Sequence, residues 1–203
     1  MTTRLELRTS VRRRLEDTGA TPLWDDATLN DLLANAIRRY GARFPAERVA
    51  TVAVTTGAIS TPVTPVMETD EVARVFDPAG ELVPRIQSML SDFRGASGQA
   101  WRWWNGELLL AQPANGGDWR IEYRAARQLP DDDADLLDIT PGDEEILTLM
   151  VCASALRRRT IEDGKRGLSR GVEGIAITAD RLEAEVESHI SARRRRVRGG
   201  WFG

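Results

Sequence analysis

The sequence predicts an α+β fold, mostly α: a helical bundle with a small antiparallel β-sheet and hairpin inserted into it and a C-terminal helical arm. Three observations carry this. Apolar residues recur at helical spacing near both ends of the chain, at Leu29, Leu32, Leu33, Ala36, Ile37 and Tyr40 and again at Ile146, Leu149, Met150, Ala153 and Leu156. Between those segments, period-two alternation and turn dipeptides replace the helical spacing. Beyond them, a glycine-rich stretch leads to one more amphipathic segment that ends in arginines. Residues 1–165 therefore read as one domain, with helices over 4–17, 25–43 and 141–163 and a β-rich insertion over about 49–124. Residues 166–203 read as a glycine-rich linker, a helix and a basic arm.

In the first helix Thr3 and Glu6 have the spacing of a capping box, in which each side chain bonds the other's exposed backbone N–H. Leu7, Val11 and Leu15 make its apolar stripe, and Arg8, Arg12, Arg13 and Arg14 take the remaining surface, before Gly19 and Pro22 break it. Asp25 or Asp26 caps the second helix, Trp24 staples its first turns, and Gly41 and Pro45 mark its end. The β-formers from Val49 to Thr56 and the run from Glu71 to Phe76 read as strands, and Asp77-Pro-Ala-Gly80 as a turn. Pro84 opens a short helix over 84–93, with Ile86, Met89, Leu90 and Phe93 on one face. Asn105-Gly106 lies between two strand-like runs, the strongest short signal for a hairpin. Trp119, Ile121 and Tyr123 alternate with Arg120, Glu122 and Arg124 in a further strand. Thr140 caps the third long helix, Pro141 takes its first position, and Asp143 completes a capping-box spacing. Leu29, Ile37 and Tyr40 should join Leu149 and Ala153 in one core, which closes only after the chain has passed through the insertion. Gly164, Gly167, Gly171 and Gly174 keep the chain loose as far as Ile177, and Leu182, Val186 and Ile190 form the narrow stripe of a docked final helix over 178–196.

Composition removes several function classes. The 28 basic and 31 acidic residues nearly cancel, so the chain as a whole has no nucleic-acid footprint. One cysteine, Cys152, allows no internal disulfide and no cysteine zinc site; it sits in an apolar run and reads as a small core residue. The sequence has one histidine, His189, on a charged helix, and no glycine loop of the phosphate-binding kind. No catalytic residue, metal ligand or cofactor is assigned. The first residues carry no apolar stretch of signal-peptide type, and no run is long enough to span a bilayer, so folding in the cytoplasm of the producing cell and no membrane partner are expected.

Three segments remain as interaction candidates. Arg193, Arg194, Arg195, Arg196 and Arg198, followed by Trp201 and Phe202, read as a phosphate-contacting tail, as an arm that docks on an acidic protein surface, or as a solvated terminus. Trp101, Trp103 and Trp104 read as a hairpin packed on one face that covers a partner, the alternative being a base-stacking platform with Arg102. Asp131, Asp132, Asp133 and Asp135, with Asp138 beyond them, read as a solvated, mutually repelling acidic loop, since the glycine and terminal glutamate of a calcium loop are missing.

The order of these pieces resembles the head-to-tail adaptor (connector) family of tailed bacteriophages. The resemblance rests on the arginine-rich first helix, Trp24-Asp25-Asp26 opening the second, and Ala36-Ile-Arg-Arg-Tyr40 within it. It continues with Val75-Phe-Asp-Pro-Ala-Gly80, the Trp101-Arg-Trp-Trp-Asn-Gly hairpin, Arg120-Ile-Glu-Tyr123, Leu129-Pro-Asp-Asp and Ile139-Thr-Pro leading into a helix. It covers about residues 5–159; the glycine linker, last helix and arginine tail depart from the pattern. The resemblance implies a non-catalytic virion protein at the capsid–tail junction, assembled in the host cytoplasm. It implies a homo-oligomeric ring, commonly a dodecamer, beneath the portal protein, offering a platform to a neck or tail-completion protein. Genomic DNA would pass through its channel without sequence-specific binding. It further implies that the C-terminal arm reaches the portal; the acidic loop is then expected to line the channel. The alternatives are a nucleic-acid-binding protein that uses the arginine tail and tryptophan hairpin, and another neck or tail-completion protein.

Overall fold

The computed structural model describes residues 2–64, 66–67, 69–86, 96, 98–168 and 171–199, with side chains described as far as Arg193. The fold is α+β and mostly α, as the spacing predicts. The chain divides into two compact units, Met1–Arg43 with Arg127–Gly203, and Phe44–Ala126.

The first unit is helical. Helix α1 (Arg4–Arg14) starts with the predicted capping box: the Glu6 N–H donates to the Thr3 hydroxyl, and the Thr3 N–H donates to the Glu6 carboxylate at 2.9 Å. It stops at Arg14 rather than at 17. Glu16 takes a left-handed φ of 56°, and the Asp17 carboxylate accepts the Leu23 and Trp24 N–H groups, so the chain has left the helix before Gly19. Leu7 and Val11 are buried as expected, but so is Arg8, which the sequence pattern assigns to the surface.

Helix α2 (Asp26–Arg43) is capped by Asp25, whose carboxylate accepts the Thr28 N–H at 2.6 Å. That bond holds the Asp25 carboxyl below its ordinary value. Gly41 does not end the helix; it lies inside it, where the Arg127 backbone nitrogen comes within 3.2 Å of where a Cβ would be.

Helix α3 (Glu144–Lys165) is the centre of the unit. Its run from Ile146 to Ala153 is buried without interruption, because α1, α2 and the last helix all pack on it. The expected single apolar face is therefore an all-round one, and Leu147, Val151 and Cys152 face neighbours too. Burial pushes the Cys152 thiol up to about 12, in keeping with a core residue. Leu29, Ile37 and Tyr40 of α2 are buried with Leu149 and Ala153 of α3, the core the spacing predicts. Helix α3 begins at Glu144 and not at Pro141: the backbone turns at Gly142 (φ 89°), and Asp143 makes no side-chain capping bond. Helix α4 (Val172–Gly199) begins earlier than predicted, so Gly174 and Ile177 are helical and the loose stretch is shorter. Ala179, Leu182, Val186 and Ile190 are its buried stripe, against α3.

The second unit is the inserted β structure. Strands β1 (Ala46–Val54), β7 (Gly117–Ala125), β3 (Glu71–Phe76) and β4 (Leu82–Val83) make one antiparallel sheet in that order. Strands β2 (Ser60–Pro62), β6 (Glu107–Leu110) and β5 (Trp101–Trp104) make the other. A single core joins residues of both sheets, among them Val75, Trp101, Leu108, Trp119 and Ile121. The β5–β6 hairpin has Asn105 at φ 51° and Gly106 at φ 77°, the pair of positive values its tight turn requires. Of the helix predicted over 84–93, residues 87–93 lie outside the described residues. The described start is extended instead: Leu82 and Val83 form β4, and Arg85 bridges to Trp101.

Within β5 the side chains alternate. Trp101 is buried and donates its indole N–H to the Val83 carbonyl at 3.0 Å; Trp104, on the opposite face, is 62% exposed. Trp101→Ala should therefore destabilise the chain by about 3–5 kcal/mol, whereas Trp104→Ala should change stability by less than about 0.5 kcal/mol; chemical denaturation of the two variants checks the difference.

Candidate functional site

Two charged networks tie the helical unit together, and both use residues far apart in sequence. In the first, Tyr40 of α2 is wholly buried and donates its hydroxyl to Asp143 Oδ2 at 2.5 Å. The Arg193 guanidinium, arriving from α4, pairs with the same carboxylate oxygen. It also donates to the Tyr40 hydroxyl and to Thr140 Oγ1, each at 2.8 Å. The Thr140 N–H donates to the tyrosine oxygen at 3.3 Å. Arg127 lies with its guanidinium 5.4 Å from the Tyr40 ring centre and donates to Asp138 Oδ1 at 2.9 Å. Asp143 and Arg193 keep only 10% and 16% of their side chains in solvent.

This clasp explains the late start of α3. Thr140 and Asp143 have the chemistry of helix caps, but their side-chain oxygens accept Arg193 donors. A desolvated guanidinium needs a carboxylate and further acceptors more than a helix end needs its cap. Asp143 still sits at the positive end of α3, where its charge is favoured.

The second network closes the N-terminal end. Arg8 makes two parallel bonds to Asp133, Nη1 to Oδ1 at 3.0 Å and Nη2 to Oδ2 at 2.5 Å, and Arg4 Nε adds a third at 2.6 Å. Arg8 also donates to Asn30 at 3.0 Å, and Arg12 spans Asp17 and Asp26 at 2.9 and 2.7 Å. The hydrogen bonds from Arg8 and Arg4 hold the Asp133 carboxyl below its ordinary 3.8.

The predicted interaction residues separate as follows. Arg193 belongs to the clasp. Arg194, Arg195, Arg196 and Arg198 continue the backbone of α4, with side chains outside the described set, and Trp201 and Phe202 lie beyond the described residues. Trp103 is half-buried, and its indole N–H has no hydrogen-bond partner among the described residues; Trp104 stacks with Arg102 at 5.4 Å. Asp133 is held by two arginines, while Asp131, Asp132 and Asp135 are exposed. Among the described residues no cluster of acidic, histidine and cysteine side chains could hold a metal, and no helix is long and apolar enough to cross a membrane. Tyr40, read from spacing as a core residue, and Asp143, read as a capping residue, turn out to be partners. Only their separation of 103 positions hides this.

Helices locked to one another by buried ion pairs, with a sheet inserted between two of them, define a structural building block. The family model described as SU10 adaptor protein matches residues 2–196, and the chain belongs to that family of phage head-to-tail adaptors. No curated protein matches the chain. Membership makes it a structural virion component that connects head to tail and interacts with portal and tail proteins.

Breaking the clasp leaves a buried charge without its partner. Arg193→Ala should destabilise the protein by about 3 kcal/mol or more, and the paired change Arg193→Leu with Asp143→Leu should recover much of that loss; thermal unfolding of the two variants checks it. Asp133 titrates lower folded than unfolded, so its contribution is full above pH 3.8 and is lost as pH falls through the depressed folded value. Asp133→Asn should remove that part, and the melting temperature of the variant should fall less steeply than the wild type's on acidification below about pH 4.

Proposed function

We propose that the chain assembles as a dodecameric ring beneath the portal, lengthens the DNA channel and presents a platform to the next neck or tail protein. Its work is structural and involves no catalysis, and assembly takes place in the host cytoplasm before the tail is joined. The basic segment after the clasp, Arg194, Arg195, Arg196 and Arg198 with Trp201 and Phe202, docks on acidic portal surface. The tryptophan hairpin, through exposed Trp104 and its stacked Arg102, covers a neighbouring subunit or tail protein.

One observation carries this reading beyond family membership. The clasp engages Arg193, the first of the arginine run, so the segment that follows continues from a fixed point. Arginine with aromatic residues is the composition of interface anchors, and a tethered start reduces the entropy lost when the rest orders. Genomic DNA passes through the ring without sequence-specific contact, in keeping with the near-neutral balance of the whole chain.

The test is deletion of residues 194–203, which leaves the clasp whole. Retention of the truncated chain on portal-bearing heads, imaged beside the full chain, should fall sharply while its thermal unfolding stays near wild type. Undiminished attachment would overturn the portal-docking role of the arm.

A further inference from the structure

The helical unit carries two exposed surfaces of opposite net charge. The first is the loop from Asp131 to Leu136. Asp131, Asp132 and Asp135 are exposed on it, and Leu136 at its end is 54% exposed. The loop is braced from within. Asp133 is held by Arg4 and Arg8, the Ala134 N–H donates to Asp132 Oδ1 at 2.9 Å, and Thr3 bridges to Leu136. Such a knob pays little ordering entropy on docking.

The second surface is an open groove of about 540 Å³ along the later turns of α3, where Arg39, Arg157, Arg158 and Lys165 face Glu162 and Glu183. Four cations meet two carboxylates in the lining and a third, Asp180, beside it, which leaves a net positive charge. Arg157 is paired with Asp180 and Glu183, Arg158 with Glu162 and Arg39 with Glu183, but Lys165 has no ion pair among the described residues. Ile161, 59% exposed, offers an apolar spot in the same lining. The knob is acidic with one exposed leucine; the groove is basic with one exposed isoleucine.

The two cannot meet within one copy. The knob lies at the first turn of α3, where Thr2, bonded to Leu137, reaches Glu144 at 3.1 Å. Arg158 lies 14 residues further along the helix, roughly 20 Å away at 1.5 Å per residue. Knob against knob, or groove against groove, brings like charges together, which disfavours a two-fold dimer through either surface. Two different complementary surfaces on one molecule give a head-to-tail contact, the kind that closes into a ring.

We infer that the Asp131–Leu136 loop of one copy seats in the Arg158–Lys165 groove of the next, and that this is the subunit contact of the assembled adaptor. The inference rests on the ring reading above and names the residues that make the ring. It sets the acidic loop between subunits instead of along the channel.

The experiment uses full-length chains added to portal-bearing heads, with complete rings counted by electron microscopy. One variant carries Asp131→Lys and Asp132→Lys; a second carries Arg158→Glu and Lys165→Glu. All four side chains lie at exposed positions, and thermal unfolding confirms that each variant folds. Each variant alone should lower the fraction of portals bearing a complete ring on the order of tenfold, since like charges then face each other at every contact. Mixing the two variants, or combining all four changes in one chain, should restore rings to near the wild-type fraction. Wild-type chains that form no ring overturn the ring reading and this contact together. Wild-type rings with both variants equally competent, or with no rescue on mixing, overturn the contact alone. Competent rings with altered DNA passage would return the acidic loop to the channel wall.

Discussion

The arrangement of the helical unit depends on one buried ion pair. Arg193 reaches Asp143 and Tyr40 from the last helix, and so joins residues whose positions differ by 50 and 153. Apolar packing along α3 sets how much surface the helices share, but such packing tolerates sliding. A guanidinium fixed between a carboxylate, a phenol and a threonine hydroxyl admits one register of α4 against α3. Tyr40 comes three residues before the chain departs into the insertion, and Arg127, lying over its ring, stands where the chain returns. The clasp therefore also holds the two points between which the β unit is inserted.

For an adaptor this is an economical arrangement of charge. The arginines of α1 read from sequence as the polar surface of an amphipathic helix, yet Arg4, Arg8 and Arg12 are engaged with Asp133, Asp26 and Asp17. The exposed groups include three carboxylates on a braced loop, Lys165 of the α3 groove and Trp104 on the hairpin. A protein that must be gripped from several sides benefits from having its internal charges satisfied. An exposed charge without an ion-pair partner among the described residues, such as Lys165, is then free of competition from within the chain.

Legibility in the sequence followed the range of the interaction. Local signals transferred directly: the Thr3–Glu6 capping box, the Asp25 cap, the Asn105-Gly106 turn and the alternation of Trp119, Ile121 and Tyr123. Helix periodicity also placed the shared core of α2 and α3. The errors arose where a side chain with a plausible local role had a stronger distant one. Thr140 and Asp143 carry good capping chemistry and spend it on Arg193; Arg8 lies on the charged side of an amphipathic helix and is buried by a bidentate partner 125 positions away. Gly41 resembles a helix stop but is the place where Arg127 comes close. The arginine run was legible as a feature, though not the fact that its first member faces inward. Nothing in local spacing distinguishes Arg193, which serves the fold, from the arginines that follow it.

The clasp is closed in the free chain, so the last helix is part of the bundle before any partner arrives. Amide hydrogen exchange of the isolated protein across residues 179–193 measures this directly. Protection there comparable to that of the buried turns of α3 is the predicted result. Exchange at the rate of a frayed, undocked helix, with α3 still protected, would contradict it.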